Sequence, residues 1–223
     1  MKILYLFLAV LIISFSSQAQ EEISCDLLPS VTTNSPSKFY LNEITAETFN
    51  SKKRVNTNAL VLFSNSDSIE NILQHKHPKL FKKKNGKYLF KNIDNQVITV
   101  RNNLVEDKTY SKYAFKAQFK NYIVVFQEYY EGAMSLLIDT NTNKAYSLPD
   151  KPYFITDKLV YSYGLYSGGG TMLTILDIGK NEYISFDFDN IIFESTYNIS
   201  INLRFKIKCM YSDETKYLEV CRY

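Results

Sequence analysis

The sequence predicts an all-β domain, a propeller-like array of about five hairpin or blade units, regular or degenerate. Three observations lead there. Short runs of β-branched and aromatic residues recur along the chain, separated by turns rich in Asn, Asp and Gly. The large side chains are 18 Tyr and 15 Phe, types suited to a pleated, half-buried surface. A hairpin pattern with Asp or Asn at the end of its first strand returns every 36 to 50 residues. The alternative is a β-sandwich or a plain meander, because the hairpins of any all-β protein share part of this pattern.

The chain opens with a positive residue, Lys2, and an apolar run from Ile3 to Phe15 broken only by Ser14. Ser17 and Ala19 place small residues at −3 and −1 of a cut before Gln20, as a signal peptidase requires. The run is about 13 residues, short of the roughly 20 that cross a bilayer. Glu21 and Glu22 follow it, not a basic flank. Residues 1–19 therefore read as a cleaved secretory signal peptide, and residues 20–223 as a single all-β domain with no transmembrane span. The expected location is periplasmic or secreted.

Within the mature chain, Ala46 to Ser51 and Ser68 to Gln74 carry the scarce helix signals. Strands are expected at Ala59 to Phe63, Tyr88 to Phe90, Gln96 to Val100, Tyr122 to Tyr130 and Ser135 to Ile138. They continue at Lys158 to Tyr163, Met172 to Leu176, Glu182 to Phe188, Ile191 to Phe193, Ile201 to Ile207 and Tyr217 to Cys221. The turn chemistry between them includes Asn85-Gly86, Asp94-Asn95, Thr140 to Asn143, Ser167 to Gly170 and Gly179 to Asn181. Five positions anchor the hairpin repeat: Asn42, Asn92, Asp139, Asp177 and Asp213. An Asp or Asn is needed there because its side chain can hold the backbone donors of the turn.

Three cysteines are present, and outside the cytoplasm a pair can oxidise. Cys209 and Cys221 flank a segment that reads as a hairpin with its turn at Ser212 to Thr215, so a Cys209–Cys221 disulfide is expected. Cys25 bridged to either of them is the alternative.

Tyr129-Tyr130-Glu131-Gly132, then Leu136-Leu137-Ile138-Asp139, then Pro152-Tyr153-Phe154 and Asp157-Lys158 follow one another in order. This order resembles uncharacterised secreted bacterial proteins with degenerate propeller-like repeats, in which a "YEG" turn, an "LLID" hairpin and a "P.F" turn succeed one another. The likeness covers about 40 residues. In this chain Ile155-Thr156 replaces the Ser-Pro of that pattern, and Asn143 stands where Gly is commoner. The resemblance implies an all-β repeat fold and brings no catalytic residue.

No constellation in the chain specifies a reaction. His75 and His77 lie in a lysine-flanked stretch before Pro78, without accompanying cysteines or clustered acids, and read as a solvent loop rather than a metal pair. Gly168-Gly169-Gly170 precedes a strand, not the helix that a phosphate loop requires. Asp139 to Asn143 begins like a calcium loop but has Lys144 and Lys151 where Gly and an acid are needed. The basic clusters Lys52-Lys53-Arg54 and Lys82-Lys83-Lys84 read as solvated turns. A net charge of +3 gives no surplus for nucleic acid. No cofactor, metal or catalytic residue is assigned.

The expected function is non-catalytic recognition of a protein, peptide or glycan in the cell envelope or outside the cell. The expected surface is a rim of loops carrying Tyr129, Tyr130, Glu131, Tyr163, Tyr166, Gly168, Gly169 and Gly170. Exposed tyrosines on such loops suit recognition. Two rivals remain. A glycosidase-like hydrolase would gather pairs of carboxylates from Glu128, Glu131, Asp187, Asp189 and Glu194. A structural or assembly protein would expose an apolar patch or a sheet edge.

Overall fold

A computed structural model describes residues 29–34, 39–51, 58–165, 170–199 and 202–222. In chain order the elements are β1 Ser30–Thr33, β2 Phe39–Ile44, α1 Ala46–Asn50, β3 Val61–Leu62, α2 Ser66–Lys76, β4 Tyr88–Lys91 and β5 Val97–Val100. Then come β6 Ser111–Phe119, β7 Tyr122–Tyr129, β8 Gly132–Asp139, β9 Lys144–Leu148, β10 Tyr153–Phe154 and β11 Leu159–Leu165. The chain ends with β12 Thr171–Asp177, β13 Glu182–Phe188, β14 Ile191–Ile199, β15 Asn202–Cys209 and β16 Thr215–Arg222. The protein is all-β, as its residue pattern predicts.

The strands form three sheets, ordered β3-β6-β7-β8-β9-β4-β5, β1-β13-β12-β11-β10 and β14-β15-β16-β2. The pairing is antiparallel except for one parallel bridge, Lys91 to Lys144. The sheets stack as layers. Ile123, Val125, Leu136 and Ile138 of the first sheet face α2 and the Leu80-Phe81 turn. Tyr122, Val124, Leu137 and Tyr146 on its other face pack on Phe154, Val160 and Leu176 of the second sheet. The second sheet in turn lays Leu173, Ile175, Ile184 and Phe186 on Leu203, Phe205, Ile207 and Leu218 of the third. Burial on both faces explains why β7, β8 and β12 read as continuous apolar runs rather than alternating ones. A bulge between Phe115 and Ala117 lets one strand serve both sides. Tyr113 and Phe115 face α2, and Ala117 faces the second sheet.

Turn chemistry works as the sequence implies in three hairpins. Asn92 Oδ1 accepts from the amides of Asp94 and Gln96. Asp139 Oδ1 accepts from the Asn141 amide, and its Oδ2 from the Thr142 hydroxyl. Asp177 Oδ1 accepts from the Lys180 amide. Each turn ends on an asparagine in the left-handed region, Asn95 (φ 62°), Asn143 (61°) and Asn181 (59°), a conformation asparagine tolerates. Asn85 (52°) and Gly86 (71°) make the same use of positive φ in the Lys84–Lys87 turn.

Other expectations are corrected. The repeat does not run through five units. Asn42 lies inside β2 opposite Glu219, and Asp213 is an exposed partner of Lys208. The β4–β5 hairpin joins the sheet of β6 to β9 instead of standing as its own unit, and none of the three sheets closes on itself. Both expected helices form. Asn65 caps α2 by accepting from the Ser68 amide, so it begins two residues before Ser68. His75 lies in the last turn of α2, its Nδ1 2.7 Å from the Asn71 carbonyl, and His77 caps the helix, so neither is in a loop.

The Cys209–Cys221 bridge does not form. The hairpin pairs Lys208 with Thr215 and Leu203 with Val220. Its turn therefore follows Cys209 directly, while Cys221 lies toward the far end of β16, opposite Tyr40. Cys221 is a free, buried thiol, and burial pushes its pKa up. Cys25 lies outside the described residues. Oxidised protein is expected to yield a Cys25–Cys209 peptide in a non-reducing map, with Cys221 alkylated only after unfolding. Recovery of a Cys209–Cys221 peptide would contradict this register.

Candidate binding site at the rim of the sheet stack

Strand direction gathers the expected loops at one end. The β7–β8 turn holds Tyr130 and Glu131, and β9 finishes beside the start of β8, with Leu148 opposite Ser135. The link after β9 is tied to β11, the Asp150 amide donating to Ser162 Oγ (3.0 Å) and that hydroxyl donating to the Asp150 carbonyl (2.8 Å). Leu165 closes β11 opposite Thr171 at the start of β12. Thr171 Oγ1 donates to the Ile191 carbonyl, and the Met210 amide donates to the Asn190 carbonyl, which brings the third sheet to the same end.

Two concavities open there, on either side of Pro149 and Leu165. The first is a cleft of about 330 Å³ between the first and second sheets. Tyr146, Leu148, Met172 and Leu176 make it apolar. Thr174 and Ser185, whose hydroxyls lie 2.8 Å apart, give it a polar spot. Burial pushes the Tyr146 hydroxyl up to about 12, so it is neutral at physiological pH. The second concavity, about 360 Å³, is lined by Asp150, Tyr163, Thr171, Ile192 and Phe193. A Cβ on Gly164 would lie 2.9 Å from Asp150 Cβ and 3.1 Å from the Pro149 carbonyl oxygen, so this glycine sets how closely the link between the two pockets can approach.

The expected site residues divide. Tyr130 (59% exposed) and Leu165 (59%) stand out from the rim, and Tyr129 is partly covered by Met134. Glu131 is exposed in the β7–β8 turn, and Gly170 is buried at the foot of β12. Tyr163 is mainly a packing residue. It stacks on Tyr153 (5.6 Å, 8°) and meets Phe193 and Phe205 from the third sheet. Tyr166, Gly168 and Gly169 lie outside the described residues. Sequence reasoning missed Tyr146, Thr174 and Ser185. Hydroxyls at Thr174 and Ser185, in the middle of otherwise apolar runs, were the available signal.

The carboxylates do not converge in the cleft. Asp94 is the single carboxylate among its lining residues, and Glu128, Glu131, Asp187, Asp189 and Glu194 are not among them. Glu194 instead pairs with Lys206 at 2.6 Å. Among the described residues no group of three His, Cys, Asp or Glu could hold a metal ion. A dense polar cluster lies elsewhere, between α2 and the first sheet. Glu70 accepts from Lys83 (2.5 Å), Tyr88 (2.5 Å) and Tyr113 (3.0 Å). Burial alone would raise the Glu70 carboxyl, but these bonds outweigh it and hold it below its usual range. With three donors gathered on its Oε1, this carboxylate fastens helix to sheet. Lys83 is exposed in its loop, as the lysine-rich run suggests, and also pairs with Glu70.

Comparison of the chain with family models, with curated proteins and with solved structures finds no match.

Proposed function

We propose that this protein is an exported, non-catalytic recognition module that binds a partner in the cell envelope or outside the cell through the rim. The observation that carries this reading is the clustering of exposed apolar side chains where both pockets open. Tyr130 and Leu165 are joined there by Ile192, Met210 and Tyr211. Solvated aromatic and aliphatic side chains around an apolar cleft suit burial against a partner. The export signal read in residues 1–19 supports the compartment. The stacking of sheets in layers, with three repeated Asn/Asp hairpins, supports reading the fold as an open, propeller-like array.

The test is a pull-down from envelope extract and culture medium. Leu165→Asp is expected to lower recovery of the specific partner at least tenfold. Val61→Asp places the same charge on a 68%-exposed apolar residue near the β6–β7 turn, at the opposite end, and is expected to leave recovery unchanged. Equal recovery by wild type and Leu165→Asp would overturn the rim as the binding surface.

A further inference from the structure

The end of the molecule opposite the rim carries a pocket of a different kind. There β8 ends at Asp139 and β9 begins at Lys144. The β4–β5 turn lies alongside, because Lys91 at the end of β4 is the bridge partner of Lys144. A hollow of about 450 Å³ opens beside both turns. Every charged residue that lines it is a lysine: Lys79 from the turn after α2, Lys91 and Lys144. Among the described residues none of the three lies within ion-pair distance of a carboxylate.

Two features set this hollow apart from an ordinary lysine surface. Lys91 and Lys144 are directly opposed at the bridge that joins β4 to β9, and like charges so placed repel. Asp139 sits on the other side of Lys144 but is engaged elsewhere. Its oxygens accept from the Asn121 and Thr142 side chains and the Asn141 amide, and Lys144 Nζ donates to Asn181 Oδ1 at 3.0 Å instead. The second feature is that Asn95 and Asn143, the left-handed residues that close the two turns, both line the hollow. They are exposed, and their carboxamides make no hydrogen bond among the described residues. Leu89, 46% exposed, adds an apolar wall. A concavity lined by one sign of charge concentrates the opposite ion. An ammonium brings three donors to an oxyanion, and a free carboxamide donates and accepts as a sugar hydroxyl does.

We propose that this pocket binds an anionic saccharide, a sugar bearing a phosphate or carboxylate group. Lys79, Lys91 and Lys144 hold the oxyanion, Asn95 and Asn143 meet the ring hydroxyls, and Leu89 meets the apolar face of the ring. A free sugar acid and a charged polysaccharide present the same chemistry. The site lies away from the rim and does not depend on the reading of the rim.

The experiment applies the mature protein at low salt to an array of neutral, uronic-acid and phosphorylated glycans, monosaccharides and oligosaccharides alike, and follows the strongest hit by calorimetry. The retained glycans are expected to be anionic, and added NaCl should weaken them. Lys91→Gln is expected to weaken the hit about tenfold, the worth of one hydrogen bond to a charged group, without lowering the urea midpoint. Asn95→Ala should weaken the saccharide while leaving the feeble binding of inorganic phosphate unchanged, and Leu165→Asp should alter neither. A hit among the monosaccharides would identify a free sugar acid as the ligand, and one among the oligosaccharides alone a polysaccharide. Failure to retain any anionic glycan, equal retention of the neutral ones, inorganic phosphate bound as tightly as the hit, or unchanged affinity in Lys91→Gln would each overturn the proposal.

Discussion

Arg204→Ala is expected to destabilise the protein by about 3–5 kcal/mol, the usual cost of removing one partner of a buried ion pair. Arg204 is 2% exposed on β15. Its Nε donates to Glu219 Oε1 at 2.8 Å, and its Nη1 donates to the carbonyls of Thr48 and Phe49 at the end of α1. One guanidinium thus pairs with a poorly solvated carboxylate, bonds two carbonyls of a short helix, and fixes that helix to the third sheet. Alanine would leave all three acceptors without it. Burial works to raise the Glu219 carboxyl, but the bonds from Arg204 and Cys221 prevail and lower it. A carboxyl lowered in the folded state stabilises above its usual value of 4.5, and that contribution fades as pH falls through the depressed one. The gap between wild type and Arg204→Ala in urea midpoint should therefore narrow in acid. The double variant Arg204→Met/Glu219→Leu should recover most of the loss. A single variant within about 1 kcal/mol of wild type would refute the assignment.

Phe154→Ala is expected to cost a similar 3–5 kcal/mol, typical of emptying a large aromatic site. Phe154 has no exposed surface. Its ring lies 4.2 Å from that of Phe119 and 5.5 Å from that of Tyr122, so it is clasped by the first sheet although it belongs to the second. Its carbonyl accepts from the Asn58 amide. The cavity would open between two layers, so the loss should appear as faster hydrogen exchange in β11 to β13 as well as a lower urea midpoint. Faster exchange confined to β10 would show that the layers do not depend on this ring.

Legibility followed the range of the interaction. Asn92, Asp139 and Asp177 could be read from sequence because each holds donors two to four residues away. The helices were legible because a cap and an apolar periodicity are local too. The turn after Cys209 was misplaced because its position is set by β14 and β16 flanking β15, not by the symmetry of the intervening residues. The rim loops could be placed together from alternating strand direction, and Tyr130 and Glu131 lie where that reasoning puts them. Tyr163 could not be distinguished from a surface tyrosine, since the rings that enclose it come from Tyr153, Phe193 and Phe205.

The bulge in β6 has a use beyond bending a strand. Lys116, the extra residue without a counterpart on β7, gives its carbonyl to the Phe63 amide. The stretch leading back from Phe63 reaches Asn58, which bonds Phe154. The supernumerary residue is therefore a junction, where a strand matched to one neighbour acquires a fastening for a third piece of chain. Excising Lys116 would leave the β6–β7 alignment more regular and would undo a clasp between two layers, so the length of this strand is dictated by a segment that is not its partner across the bulge.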